Sequence, residues 1–281
     1  MLTKQEMVAS LRALGIKEGD TVVVHSSFKS LGPVDGGAET VVAAFLEAVG
    51  AEGTVVFPTL CQKDFEHAYE NWHLDAPSDI GYLTNYFRKL PDAKRSDQAT
   101  HSIAAIGKDR DYLTATHGQS GLRYGIYGDT PFSADSPWEK MYLKDAKTVL
   151  VGVPTSKITF RHFAEYYYMD KALKFLESTD KYEEMKAEVW CYERFGKMGV
   201  WPHVINVNLD DRMREIGKLW QAPCGEAMLT CVSSRAFVDE IFEAFKRHDT
   251  HIINVENFSM QIIHWMEAAE RLGFVFNGYE E

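Results

Sequence analysis

Three features of the sequence predict an α/β fold, a three-layer α/β/α sandwich around a largely parallel central sheet. Short runs rich in Val and Thr ("DTVVVHSS", "GTVVFPT", "TVLVGV") read as buried strands. Between the first two lies "AETVVAAFLEAVG", which has a helical period and a closing glycine, so strand, helix and strand form a βαβ unit. In the C-terminal third, "AEVWCYERF" and "VWPHVINVNL" are aromatic-rich and alternate, which predicts a small antiparallel annex, a hairpin turning at "GKMG".

The elements follow in order. "MLTKQEMVASLRALG" is an amphipathic helix over about residues 3–14, opened by a Thr3-x-x-Glu6 capping box rather than built as a signal peptide. The turn residues Glu18, Gly19 and Asp20 open the first strand, and the loop "FKSLGPVDGG" leads from it to a helix ended by Gly50. "IGYLTNYFRKL" is helical, and "HSIAAIG" is a strand ending at Gly107. "SPWEKMYLKD" has Ser136 as its cap and Pro137 at the first helical position, where the missing N–H costs nothing. "TVLVGV" is the strongest candidate for a central strand, and a helix follows in "ITFRHFAEYYYMDK". Beyond the annex, "DDRMREIGKLW" and "SSRAFVDEIFEAFKRH" read as helices, with "EAMLTCV" a strand between them. No repeat, low-complexity tract or Pro/Ser-rich linker divides the chain, so residues 1–281 read as a single domain.

Composition narrows the function. Thirty Lys plus Arg against 41 Asp plus Glu give a formal charge of −11, which argues against nucleic acid or an anionic membrane as partner. An acidic balance suits a cationic small molecule, and it is equally the ordinary state of soluble proteins. Cys61, Cys191, Cys224 and Cys231 form no CxxC and read as reduced thiols in a cytoplasmic protein. No run approaches the ~20 apolar residues of a membrane span. There is no HExxH to hold a metal and no G-x-S-x-G to mark a serine hydrolase, although Ser26 and Ser27 follow a strand.

Two segments carry chemistry. The loop "HSSFKSLGPVDGG" joins the carboxyl end of a strand to a helix N-terminus, where free N–H groups and the helix dipole favour an anion. Gly32, Gly36 and Gly37 allow close backbone approach, and Lys29 can neutralise a phosphate. The pattern is neither a Walker loop nor GxGxxG; it fits a phosphate- or pantetheine-like ligand, and equally an unliganded glycine-rich turn. The second segment places His162 and Glu165 three residues apart on a helix entered from a strand end, where both can address one cleft. An ordinary polar pair on a half-exposed helix fits that spacing as well. His101 and Ser102, at the start of another strand, read alone as a capping pair.

Taken together, these segments resemble the aminoglycoside 3-N-acetyltransferase family, antibiotic acetyltransferases distinct from the GNAT fold. The resemblance runs in order over roughly residues 5–170. It rests on "VVVHSSFKSLGPVDGGAETVVAAFLEAVGAEGTVVFPT", "PSDIGYLTNYFRKLPDAKRS", "THSIAAIG", "FSADSPWEKM" and "TVLVGVPTSKITFRHFAE". It implies a full-length acetyltransferase domain with a divergent C-terminal third, using acetyl-CoA and no metal. His25, Ser26, Ser27, Leu31, Gly32, Val34, Gly36 and Gly37 of the HSS loop become cofactor candidates, with Lys29 and Ser102 beside them. The T-x-x-H-x-x-E block places a general base on His162, an amine-facing carboxylate on Glu165, and Thr159 nearby. Asp79 and Asp135 lie in matched blocks and are expected at the mouth of an acidic acceptor pocket, unless they serve as helix caps.

The chemistry agrees with that allocation. An ammonium is no nucleophile until deprotonated, and a His titrating near 6 to 7 is the natural acceptor of the proton. The implied reaction is direct transfer from acetyl-CoA to an amine of an amino-sugar, aminoglycoside-like or polycationic acceptor, without an acetyl-enzyme, by a monomer or homodimer. A CoA-binding protein without transferase activity and a CoA-thioester hydrolase are the alternatives. Two departures stand out. Where the family commonly reads R-S-x-His-Pro-x-x-S, this chain has "RSDQATHS", so Gln98 and Ala99 replace the His-Pro pair, and what that His contributes is either missing or supplied by His101. Residues 171–210, on the acceptor side, follow no segment of aminoglycoside-modifying members.

Overall fold

In the computed structural model, the described residues are 1–61, 63, 71–117, 131–177, 179–184, 206–254 and 260–280. The first βαβ unit forms as expected: β1 (Thr21–Ser26), α2 (Gly37–Val49) and β2 (Thr54–Pro58), preceded by α1 (Lys4–Ala13). Thr3 caps α1 in a complete capping box, its side chain accepting from the Glu6 N–H while Glu6 reaches back to the Thr3 N–H. Gly50 ends α2 at φ 66°, a left-handed angle that favours glycine.

The chain continues through α3 (Tyr82–Phe87), β3 (Lys94–Arg95), β4 (Ile103–Gly107), α4 (Arg110–Thr114), α5 (Pro137–Leu143) and β5 (Lys147–Val151). Ser136 caps α5 by accepting from the Glu139 N–H, with Pro137 in the first turn. Then come α6 (Phe160–Leu176), β6 (Asn206–Val207), α7 (Asp210–Glu215), β7 (Leu219–Cys224), β8 (Ala227–Ser233), α8 (Ser234–Arg247), β9 (Ile253–Asn254) and α9 (Met260–Arg271).

Seven strands form one sheet in the order β3-β4-β2-β1-β5-β8-β7. Its centre is parallel, β1 pairing with β2 on one side and β5 on the other, and both flanks are antiparallel. An antiparallel pair, β6 with β9, stands apart in the C-terminal third. The expected hairpin turning at "GKMG" lies largely outside the described residues; only its last residues, from Asn206, are described, and they pair with β9. The expected helix "DDRMREIGKLW" is shorter than its period implied, since Leu219 and Trp220 already belong to β7. Pro223 lies in that strand, which is tolerable because β7 is at the sheet edge and needs no second ladder of N–H donors.

Alternate residues of the central strands feed two cores. Val22, Val24, Val55, Phe57, Val149 and Val151 pack with Met7 and Leu11 of α1 and Phe45 of α2. Val23, Val56 and Leu150 pack with Trp138 of α5, Phe163 of α6 and Phe237 of α8. This two-sided burial is why the central strands read as unbroken apolar runs. Successive elements leave β1 in opposite directions, to β2 on one side and later to β5 on the other, so the carboxyl ends of β1 and β5 flank a point where strand order reverses. Ligand crevices of α/β sheets lie at such points.

Candidate active site

A cleft of about 360 Å³ opens there, lined by His25 and Ser26 from the end of β1, by Thr159, Arg161 and His162 from the entry to α6, and by His101 ahead of β4. Val153, Lys157, Ile80 and Thr84 add to its wall. The exits of β1 and β5 are pinned together: the Ser27 N–H donates to the Val151 carbonyl at 2.9 Å, and the Ser30 hydroxyl to the Ser27 carbonyl at 2.7 Å. Gly152, at φ 60°, packs so closely on Ser30 that a Cβ there has no room.

His162 sits in the first turn of α6, and its Nδ1 lies 2.9 Å from Glu165 Oε2. The imidazole is 15% exposed, toward the cleft, and the Glu165 carboxyl is fully enclosed at 0%. A carboxylate only accepts, so Nδ1 donates and Nε2 is the basic nitrogen. Burial, reinforced by the neighbouring Arg161 cation, holds the His162 pKa well below its ordinary 6.5. The titration expected near 6 to 7 therefore moves to lower pH, and the imidazole is neutral throughout the neutral range. His25 is held down to about 4 by burial and by Arg161, and among the described residues its buried Nε2 has no hydrogen-bond partner.

His101 reaches the same cleft, its ring centroid 6.0 Å from that of His162, and Phe132 packs 5.9 Å from His162 and 4.9 Å from His101. Gln98 shapes the turn that puts it there. Its side-chain oxygen accepts from the N–H groups of His101 at 2.6 Å and Thr100 at 2.8 Å, while the Trp138 indole donates to the His101 carbonyl at 3.1 Å. The "RSDQATHS" departure thus builds a local cap from Gln98 and seats a histidine in the cleft.

The remaining sequence candidates fall elsewhere. Lys29 is exposed on the short 3₁₀ turn Phe28–Leu31, and Leu31 is buried in the core, its carbonyl accepting from the Glu226 N–H at 3.1 Å. Gly32 packs on Glu226, and Val34 bridges to Leu2. Gly36 and Gly37, at φ 74° and 65°, begin α2, and a Cβ on Gly37 would meet nothing within 4 Å. Ser102 is fully buried in a knot around Arg95, which donates to the Ser102 and Thr59 hydroxyls and to the carbonyls of Leu74, Ala76 and Thr59. Asp79 accepts from the Lys63 N–H at 2.6 Å, and Asp135, exposed at φ 62°, donates its own N–H to Glu139. Neither aspartate lines the cleft, and among the described residues no carboxylate does. Cys231 is buried and its thiol pushed up to about 12, which makes it a poor nucleophile. Arg161 was not legible as a site residue; its only sequence signal is its place between Thr159 and His162.

The model of the aminoglycoside 3-N-acetyltransferase family matches residues 23–246 of the 281. The chain belongs to that family. Among curated relatives of this acetyltransferase family, the SPbeta prophage-derived aminoglycoside N(3')-acetyltransferase-like protein YokD of Bacillus subtilis (strain 168) is 30% identical over 185 residues, 58% of this chain and 65% of that protein. The chain thus spans less than two thirds of the length of the curated relatives it matches first. Among solved structures, aminoglycoside acetyltransferase AAC(3)-IVa as an apoenzyme superposes with a TM-score of 0.67 at 23% identity, covering 94% of this chain and 98% of that one. AAC-IIIb, solved as a binary complex with CoASH, superposes with a TM-score of 0.58 at 19% identity over 84% and 93% of the two chains. Both likenesses show the fold. No helix among the described residues is long and apolar enough to cross a membrane.

Proposed function

We propose that this chain transfers the acetyl group of acetyl-CoA to an amine of a small amino-sugar-like acceptor, with His162 as general base and Glu165 as its buried support. The observation that carries the proposal is the 2.9 Å His162–Glu165 contact, made with the imidazole edge open to a cleft at the carboxyl ends of β1 and β5. The family's name and the relatives' names support an amine acceptor; aminoglycosides are the acceptors those names print.

The cleft fits the donor in two respects. His25, which lines it, has a buried Nε2 without a hydrogen-bond partner among the described residues, and at the start of α2 the Gly37 backbone carries no side chain to exclude a ligand. His25, Ser26 and the glycine backbone would hold acetyl-CoA, which when bound supplies an activated acyl carbon. His162 removes the N–H proton as the amine nitrogen bonds to that carbon. The C–S bond then breaks, and the proton passes from His162 to the departing thiolate, so no net proton is gained or lost by the protein. Glu165 holds Nδ1–H and stabilises the transient imidazolium. Because His162 is already neutral at pH 7, no proton has to leave it before the acceptor binds.

Release of CoA thiol, followed against a panel of amino sugars, aminoglycosides and simple diamines, tests the proposal. Release that depends on the amine supports transfer. Release independent of amine identifies a thioester hydrolase, and CoA binding without release identifies a binding protein; either result overturns it.

A further inference from the structure

The residues that follow α9 strap the side of α6 turned away from His162 and tie it to a second wall of the cleft. Phe274 and Phe276 pack against Tyr168, with ring centroids 5.5 and 4.8 Å away. Farther on, the Tyr279 ring settles among Tyr142 of α5 at 4.8 Å, Tyr167 of α6 at 4.8 Å and Phe163 of α6 at 6.5 Å. Phe163 is buried and directly follows His162 in the chain. Glu280 closes the strap: its N–H donates to the Tyr167 hydroxyl at 2.9 Å, and its carboxylate accepts from Lys171 at 2.8 Å. The aromatic contacts supply most of the hold, since an exposed ion pair contributes little.

The Tyr279 hydroxyl carries the link further. It donates to Glu139 Oε1 at 3.0 Å, and the other oxygen of that carboxylate accepts from the Asp135 N–H at 2.6 Å. Asp135 stands at φ 62°, an angle uncommon outside glycine that such contacts help to hold, and the Thr116 hydroxyl donates to its carbonyl at 2.7 Å. The same turn carries Phe132, whose ring packs against both His101 and His162. One hydroxyl and one carboxylate thus join α6, which bears the base, to the turn that covers the base. We infer that Tyr279 is a positioning residue for acetyl transfer: through Glu139 it fixes the Phe132 turn against α6, so that the His162 imidazole keeps its alignment and its cover from water. This rests on the transfer reading above and adds to it a residue far from the cleft. The leverage is large, because a catalytic group misplaced by ~1 Å can cost ~100-fold in rate.

Y279F, which removes only the hydroxyl, tests the inference by two readouts. The kcat of amine-dependent thiol release should fall ~2- to ~10-fold, the scale of one hydrogen bond, with the KM for acetyl-CoA unchanged. The His162 imidazole, followed by NMR, should titrate at higher pH than in wild type, because water reaching the ring relieves the burial that keeps it neutral. The charged and titratable groups around that ring among the described residues, Arg161, Glu165, Lys157, His25 and His101, are the same in both proteins. Y279A strips the ring as well and should deepen both effects, kcat falling ~10- to ~100-fold; should it fail to fold, Y279F decides. E139A should shift both readouts in the same direction, and E139A/Y279F should be no worse than E139A alone, since both act through one bond. A Y279F variant with wild-type kcat and an unmoved titration overturns the inference. So does a lowered melting temperature with neither readout changed, which is what packing alone gives, or losses that add in the double variant. The titration needs no turnover: were no amine acetylated by wild type while Y279F still moved it, the transfer reading would fail and the link from Tyr279 to His162 would stand. Equal acetylation by wild type and Y279F, with the titration unmoved, would do the reverse.

Discussion

Replacing Glu165 with Gln isolates what the buried carboxylate contributes. The substitution keeps the shape and an acceptor oxygen for the His162 Nδ1–H, so the ring and its tautomer stay in place; what is removed is the charge 2.9 Å away. That charge matters most when His162 is protonated in the transition state. With the charge centres about 4 Å apart and an effective dielectric of about 20, the attraction is worth ~4 kcal/mol. The retained hydrogen bond offsets part of it, so kcat should fall ~30- to ~1,000-fold, corresponding to ~2–4 kcal/mol. The KM for acetyl-CoA should not move, because the side chain is enclosed behind His162 and does not line the cleft. Burying the new amide N–H₂ costs ~1–3 kcal/mol of stability, so the variant should melt lower yet remain folded. Steady-state thiol release at saturating amine, with circular dichroism to confirm the fold, is the assay. A folded Glu165→Gln variant with kcat within about threefold of wild type would refute the role given to the carboxylate.

Three further outcomes follow from the same geometry. His162, held neutral by burial and Arg161, with Glu165 and His101 as its other ionisable neighbours among the described residues, should keep wild-type kcat level as pH falls through 6.5 and lose it only below. Arg161→Gln removes the repelling charge and should move that acid limb to higher pH; a wild-type limb at 6.5 that the variant leaves in place would contradict the account. Stability should fall on acidification for a related reason. His25 and His117 have folded pKa values depressed to about 4 and about 3, so the unfolded chain binds their protons first, and each removes ~1.4 kcal/mol per pH unit below about 6.5 until its folded value is reached. His117→Gln should flatten the pH slope of the denaturation midpoint between pH 6 and 4, and an unchanged slope would show that other groups set it. Finally, Gln98→Ala strips the acceptor from two buried N–H groups, those of Thr100 and His101, at ~1–3 kcal/mol each. Its melting temperature should drop by several degrees, and a variant as stable as wild type would mean the turn is held by other contacts.

Most strands and helices of the first 170 residues were legible because each side of every central strand is buried, which forces unbroken β-branched runs, and because glycines at positive φ close elements between them; the short β3 and α4 left no such signal. β7 was hidden by Pro223 and by an apolar period that runs on from α7, a conflict that only its edge position resolves. The His162–Glu165 pair was legible because i and i+3 on one helix is a local relation. Placing His101 beside His162 needs β4 folded back antiparallel onto β2, a tertiary relation with no local mark. Asp79 and Asp135, expected at an acidic mouth, do not line the cleft; a carboxylate at a loop is as useful for satisfying backbone N–H groups as for facing a ligand, and Asp79 accepts from the Lys63 N–H. Arg161 escaped notice because a single arginine on a helix usually points to solvent, and only the cavity reveals that this one does not.

The central claim is that His162 takes the proton of the acceptor amine, and a comparison of His162→Ala with wild type in single-turnover acetyl transfer near neutral pH tests it most directly. Loss of a general base costs ~100- to ~10,000-fold. The account predicts a fall in that range, with the variant still folded and its acetyl-CoA affinity close to wild type, since the imidazole lines the cleft. A variant that still acetylates its amine at most of the wild-type rate, or that loses its activity only by unfolding, would contradict it.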